Sequence, residues 1–263
     1  MKRWPAKQTA ATVFGMARAA NFLLIDISNS FTKLAFGTRR RISKPSKIPT
    51  ENFSASLLQQ SLRGRKVDNF VVCSVVPKKN ALIRAAAKGS RILWLTPRLK
   101  LGVGIDYSNP KTIGADRLAN AAAVTALYGS PAIVVDFGTA VTFDIVSAQR
   151  KYVGGVIAPG LEAMTNFLYQ RTALLPKLSL KEPRLAVGRS TIEAMRSGAV
   201  IGYRGLVREI ISRIKAERFP RQKVHVIATG GYAELIAKRL AEIDFVHPNL
   251  TLEGLRIVAN LNT

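Results

Sequence analysis

Two stretches of the chain share one pattern of apolar and polar positions. Phe22-Leu23-Leu24-Ile25-Asp26-Ile27 is apolar up to an aspartate near its end. A polar turn, Ser28-Asn29-Ser30, follows, and Phe31-Thr32-Lys33-Leu34-Ala35-Phe36 then alternates before Gly37. The pair predicts a hairpin with a carboxylate at the end of its first strand. Ala132-Ile133-Val134-Val135-Asp136 is again apolar up to an aspartate, Phe137-Gly138-Thr139-Ala140 is the turn, and Val141–Val146 returns. Asp26 aligns with Asp136, Asn29 with Thr139 and Thr32 with Thr142, 110 residues apart. That spacing has the length of a domain, so duplication of one α/β unit is the simplest explanation.

Further apolar runs predict strands at Phe70–Val76, Arg91–Leu95 and Val224–Thr229. Helical spacing appears at Asn80–Lys88, Arg117–Tyr128 and Tyr232–Ala241. A long amphipathic helix is predicted over Thr191–Glu217, with apolar residues in steps of three and four from Ile192 to Ile214. Gly198, Gly202 and Gly205 lower its intrinsic propensity and suit close packing against another helix. Alternating strands and helices in both halves predict two α/β domains. The turn Gly129-Ser130-Pro131 divides them, giving expected domains at 21–129 and 130–263.

Composition narrows this picture. The 263 residues are 48% hydrophobic and 21% charged, a globular balance. No apolar run approaches the roughly 20 residues that span a bilayer, so a soluble, cytoplasmic protein without membrane contact is expected. The single cysteine, Cys73, lies in an apolar strand and reads as buried. His225 and His247 have no catalytic partner in sequence and read as structural, and Asp144 reads as a solvent-facing strand residue.

Forty basic residues against sixteen acidic ones give a net charge of +24. Such a surface attracts nucleotides, nucleic acid and acidic membranes alike. The basic residues are not interleaved with aromatics, which disfavours a dedicated nucleic-acid interface. Residues 1–20 are basic and acid-free, without the apolar centre of a secretory signal. They are expected to be a flexible extension outside the fold.

Phosphoryl transfer needs phosphates held, their charge neutralised and an acceptor hydroxyl aimed in line. Two tight polar turns at strand-end carboxylates suit the first task, since backbone N–H groups and small hydroxyls cradle phosphate oxygens. Asp26, Ser28, Asn29, Ser30 and Lys33 form one turn, and Asp136, Gly138 and Thr139 the other. Neither alone is specific, and no P-loop or dinucleotide fingerprint is present. Asp116, after Gly114, reads on its own as a helix cap. Arg117 suits a bidentate contact with a carboxylate.

Five segments in order carry a family resemblance. Asp26–Lys33 resembles the D-x-G-N-T-x-x-K phosphate loop of type III pantothenate kinases. Gly114-Ala115-Asp116-Arg117 resembles their G-x-D-R segment, and Asp136–Ala140 their D-x-G-T-A loop. Gly154–Leu161 resembles G-G-x-I-x-P-G-L, and Thr191–Gly198 resembles T-x-x-A-x-x-S-G. On their own, Gly154-Gly155 and Pro159-Gly160 read as ordinary turn formers. The resemblance implies an actin-like fold of two ribonuclease-H-like domains flanking a cleft. It also implies a homodimer that phosphorylates pantothenate with ATP, the first step of coenzyme A synthesis. A divalent cation, Mg2+, would accompany ATP. By the same resemblance Asp26, Ile27, Ser28, Asn29, Ser30, Phe31, Thr32, Lys33 and Thr139 contact ATP. Asp116 would be the general base. Tyr107, Gly114, Ala115, Asp116, Arg117 and Thr191 would line the pantothenate site, and Asp136 would bind potassium or ammonium. The pair Gly230-Gly231 reads either as a plain strand-to-helix turn or, by resemblance to actin-like ATPases, as backbone that lies against the adenosine.

Ser28 stands where the family has glycine, and Ser30 where it has threonine. A serine at position 28 is strained if the backbone there has a positive φ, and its Cβ intrudes if a phosphate packs tightly against it. Two other readings stay open: a catalytically weak homologue acting as a nucleic-acid-associated regulator, and a kinase for another hydroxyl substrate.

Overall fold

The computed structural model describes residues 22–62, 64–87 and 89–263, so the expected extension over 1–20 lies outside the described residues. The chain forms two compact units, Tyr128–Pro248 and a second that joins the residues before Tyr128 to Asn249–Thr263.

In the unit that precedes Tyr128, strands β1 (Phe22–Ile27) and β2 (Phe31–Gly37) form the expected hairpin, and β3 (Ser46–Pro49) adds to its outer edge. After helix α1 (Ala55–Leu62) come β4 (Asn69–Ser74), α2 (Asn80–Ala86), β5 (Arg91–Trp94) and the two-residue strand β6 (Gly104–Ile105). The sheet order is β3-β2-β1-β4-β5, with β1 antiparallel to β2 and parallel to β4. Cys73 is fully buried in β4, as its apolar run implies. Helix α3 (Ala115–Leu127) is rich in alanine, which favours helix and leaves a smooth surface.

The second unit repeats this plan with β7 (Ala132–Phe137), β8 (Ala140–Val146), β9 (Lys151–Pro159), α4 (Leu161–Arg171), α5 (Thr191–Arg218), β10 (His225–Gly230), α6 (Ala233–Ala237) and β11 (Phe245–Val246). Its strands run β9-β8-β7-β10-β11, with β7 antiparallel to β8 and parallel to β10. Order and direction match the first sheet strand for strand, so the repeated apolar pattern corresponds to a repeated topology. One face of the sheet packs Ile133, Val135, Phe143 and Val226 against Val200, Val207 and Ile211 of α5.

Four expectations need correction. Residues 249–263 were expected in the second domain, but helix α7 (Leu250–Asn262) packs on α3. Gly254 makes this contact possible, because a Cβ there would collide with the Ala119 carbonyl. Thr251 Oγ1 also lies 2.9 Å from Asn120 Oδ1. Asp144 is buried rather than solvent-facing, and the Tyr152 hydroxyl donates to its Oδ1 at 3.4 Å. Its neighbours Val134 and Tyr152 are buried too, so this sheet is covered on both faces and alternation does not mark a wet side. The run Gly154–Pro159 continues β9 instead of turning, and Gly160 caps α4. Helix α6 ends at Ala237, where a tight Leu240 N to Ala237 O bond of 3.1 Å folds Leu240 into the core.

Candidate active site

The first loop closes β1 onto β2. Asp26 lies opposite Lys33 and Ile27 opposite Thr32. Ser28 N donates to Phe31 O at 3.2 Å, which sets the turn, and Ser28 Oγ donates to Asp26 Oδ1 at 3.0 Å. Thr50 ties the loop down from outside. Its Oγ1 donates to Ser28 O at 2.6 Å and lies 3.0 Å from Thr32 Oγ1, while its N–H donates to Ser30 O at 3.0 Å. Asn29, Ser30 and Phe31 are exposed, and Lys33 is half-buried. The Lys47 ammonium lies 3.8 Å above the Phe31 ring centre, a cation–π contact. The Ile27 side chain belongs to the core, so a ligand would meet that residue only through its backbone.

Ser28 does not take a positive φ; among the described non-glycine residues only Arg150 and Arg221 do. The serine therefore sits in its loop without the strain that a glycine-only conformation would impose.

The second loop is one residue shorter. Phe137 pairs with Val141 and Asp136 with Thr142. By register Thr142 therefore corresponds to Lys33 rather than to Thr32. Gly138 N donates to Ala140 O at 3.1 Å, and Thr139 is exposed at the tip. Two glycines pack on this turn from outside. Gly160 N donates to Thr139 O at 3.1 Å, and a Cβ on Gly160 would run into that oxygen. Gly230, at φ +93°, leaves no room for a Cβ beside Asp136 Oδ1 and the Phe137 backbone. Thr229 precedes it in register with Asp136; it is 1% exposed and its Oγ1 has no hydrogen-bond partner.

Gly114–Arg117 forms the start of α3. Asp116 lies in the first turn, and its Oδ1 accepts from Arg117 N at 2.8 Å. Asp116 is the second residue of the helix and not its cap; its carboxylate instead accepts from the next N–H of the first turn. The contact also has an electrostatic side: burial pushes the Asp116 carboxyl above the usual range, with the Arg117 N–H and guanidinium opposing. A raised carboxyl near a helix start is a competent proton acceptor closer to neutral pH. Tyr107 is partly exposed in the segment between β6 and α3.

Thr191 is the first residue of α5. Ser190 Oγ accepts from Glu193 N at 3.3 Å and so caps the helix, while Glu193 Oε2 accepts from Arg189 N at 2.8 Å, one residue before the cap. Thr191 itself is exposed and stands apart from the Asp136–Thr139 turn in sequence and in element. Among the described residues no three His, Cys, Asp or Glu side chains gather to hold a metal ion. A divalent cation would then take its oxygens mainly from phosphates and water, as Mg2+ commonly does.

Residues 22–213 match the model of the type III pantothenate kinases. The chain belongs to that family. A type III pantothenate kinase of Akkermansia muciniphila is 48% identical over 247 residues, covering 92% of this chain and 99% of that protein. One from Methylacidiphilum infernorum is 44% identical over 239 residues, covering 91% and 88%. A propionate kinase structure from Francisella tularensis subsp. tularensis SCHU S4 aligns with a TM-score of 0.51 at 10% identity, covering 91% of this chain and 99% of that one. That likeness speaks for the fold alone, and it agrees with the α/β plan repeated in the two units.

Sequence reasoning missed Thr50 and Thr229. Thr50 carries no local signal, because its role comes from a contact with a loop 22 residues earlier. Thr229 could have been noticed as the hydroxyl residue before Gly230-Gly231.

Proposed function

We propose that this type III pantothenate kinase transfers the γ-phosphoryl group of ATP to the hydroxyl of pantothenate, giving 4′-phosphopantothenate for coenzyme A synthesis. The observation that carries the reading is the Gly114–Arg117 turn, where a carboxylate of raised proton affinity is fixed by the Arg117 N–H. Asp116 takes the proton of the pantothenate hydroxyl. The hydroxyl oxygen then bonds to the γ-phosphorus as the bond to the β–γ bridging oxygen breaks and ADP leaves. Arg117, with Tyr107, Gly114, Ala115 and Thr191, binds pantothenate, the guanidinium serving its carboxylate.

The 26–33 loop and Thr139 hold the ATP phosphates. Exposed Asn29, Ser30 and Thr139 supply polar atoms, and Lys33 supplies charge. Asp136 holds potassium or ammonium, which lowers the electrostatic cost of gathering phosphate charge; Thr229's orphaned buried oxygen beside it fits a cation site. ATP as substrate suits a cytoplasmic location, and no described helix is long and apolar enough to cross a membrane.

The protein acts as a homodimer. Support comes from apolar side chains left bare on the second unit: Phe167 is 59% exposed, Leu174 90% and Val187 80%. Ile192 and Ile201 of α5 are also exposed, and a Cβ on Gly198, Gly202 or Gly205 would meet open space. So much apolar surface on one unit is what an interface leaves when a partner is removed.

The test is replacement of Asp116 by Asn with ADP release as readout. Pantothenate-dependent release should fall by about 10²–10⁴-fold, the contribution of a positioned base. Retained turnover in Asp116→Asn would remove the base from the mechanism.

A further inference from the structure

Thr229 and Asp136 are register partners in the parallel pair β10–β7. Partners in a sheet project from the same face, so the hydroxyl and the carboxylate stand side by side. The residues around them in sequence, Val135, Phe137 and Ala228, belong to the core on the opposite face. Thr142 extends the row from β8, opposite Asp136.

Thr229 is unusual in this row. It is fully buried, yet its Oγ1 has no hydrogen-bond partner. A buried hydroxyl left alone is costly, and such groups call for a specific explanation. Valine would fill the same space without that cost.

The local backbone is built to keep the group there. Gly230 at φ +93° presses on Asp136 Oδ1 and the Phe137 backbone in a way no side chain would allow. Tyr232 N then donates to Phe137 O at 3.4 Å. The turn after Thr229 is thereby clamped to the turn after Asp136.

A neutral hydroxyl oxygen beside a carboxylate is a hard donor set without a second negative charge. That suits a weakly charged cation better than a divalent ion, which draws several carboxylates. We infer that Thr229 is a second oxygen ligand of the monovalent cation held by Asp136. This rests on the cation reading of Asp136 given above and extends it to β10.

The test uses the full chain with Thr229→Val, which keeps shape and removes the oxygen, and Thr229→Ser, which keeps the oxygen. Two readouts are taken: the Tm in potassium chloride against choline chloride at equal ionic strength without substrate, and the potassium concentration for half-maximal turnover. Wild type should gain Tm in potassium, as any ion that binds only the folded state stabilises it. Thr229→Val should lose most of that gain and need about tenfold more potassium. Thr229→Ser should keep both properties. If the valine variant does not fold, Thr229→Ala replaces it under the same two readouts. A potassium response in the oxygen-free variants equal to wild type overturns the role of Thr229 and leaves Asp136 untouched. No response to potassium in the wild type, in either readout, overturns the Asp136 reading and this extension with it.

Discussion

A side-chain carbon on Gly114 would stand 2.5 Å from Oδ1 of Asp116. The carboxylate is therefore seated against a bare Cα. Gly114 has no positive φ, so alanine could adopt its backbone. The whole effect of Gly114→Ala should then fall on the carboxylate, which must move. Small displacements of a catalytic group cost about 100-fold when they spoil its aim. The expected outcome is a 10–100-fold loss of kcat with little change in Tm. An unchanged kcat would show that the Asp116 position does not matter.

Burial raises the Asp116 carboxyl, and the sign of two pH effects follows. The proposed base, Asp116, must be ionised to act, so kcat/KM should fall as pH drops through the raised value, above the ordinary aspartate range. Stability runs the other way. A carboxyl whose folded value is raised binds more protons when folded, so its ionisation costs stability as pH rises through that range. Asp116→Asn should therefore be far less active yet melt higher than wild type at neutral pH. The difference should shrink towards acid, where both forms are uncharged. Thermal melts of the two proteins between pH 4 and pH 8 (a window about the ordinary carboxyl range) check this; a variant that melts lower throughout contradicts it.

The long segment between α4 and α5 is pinned by Glu182. Both of its oxygens accept from Arg204, at 3.0 and 2.6 Å, and Arg204 also donates to Ile236 O and Leu235 O. Arg239 Nε adds a contact at 3.1 Å. Arg204 is almost fully buried while Glu182 keeps some exposure, so Arg204→Ala should cost about 2–3 kcal/mol, at or just below the range for a broken buried pair. The Arg204 hydrogen bonds hold the Glu182 carboxyl below its usual range. A lowered folded value means stability present above the unfolded value and lost as pH falls through the lowered one. Acid titration of the melting curve should show that loss in wild type and not in Arg204→Ala.

The sequence revealed the elements that locate the chemistry. The apolar runs ending at Asp26 and Asp136 became β1 and β7, and the helical spacing from Thr191 became α5 to within one residue. These succeed because an apolar strand and an amphipathic helix are local patterns. The failures are non-local. Helix α7 joins the first unit through Gly254 on Ala119, a contact between residues 135 apart that no window sees. Gly154-Gly155 looked like a turn, yet β8 holds it as strand through pairs with Ile145 and Asp144. Ser28 looked like a strained substitution, and its backbone turned out to need no glycine. At the proposed site, the sequence pointed to the aspartates and turn residues by type. Thr50 and Thr229 were not, because their roles depend on neighbours brought by folding.

The proposed homodimer is open to direct measurement. Phe167 and Ile201 are exposed in the single chain. The double change Phe167→Asp and Ile201→Arg should halve the mass seen by light scattering while leaving the circular dichroism of the chain intact, because neither side chain supports the core. A wild-type protein that is monomeric at micromolar concentration would count against the dimer.

The central claim is that this chain phosphorylates pantothenate. The most direct measurement is the mass of the product formed from purified protein, ATP, Mg2+, K+ and pantothenate, with ADP release followed in parallel. The expected result is 4′-phosphopantothenate in one-to-one ratio with ADP, with both formed about 10²–10⁴-fold more slowly by Asp116→Asn. Folded wild-type protein that releases no ADP and yields no phosphorylated pantothenate would contradict it.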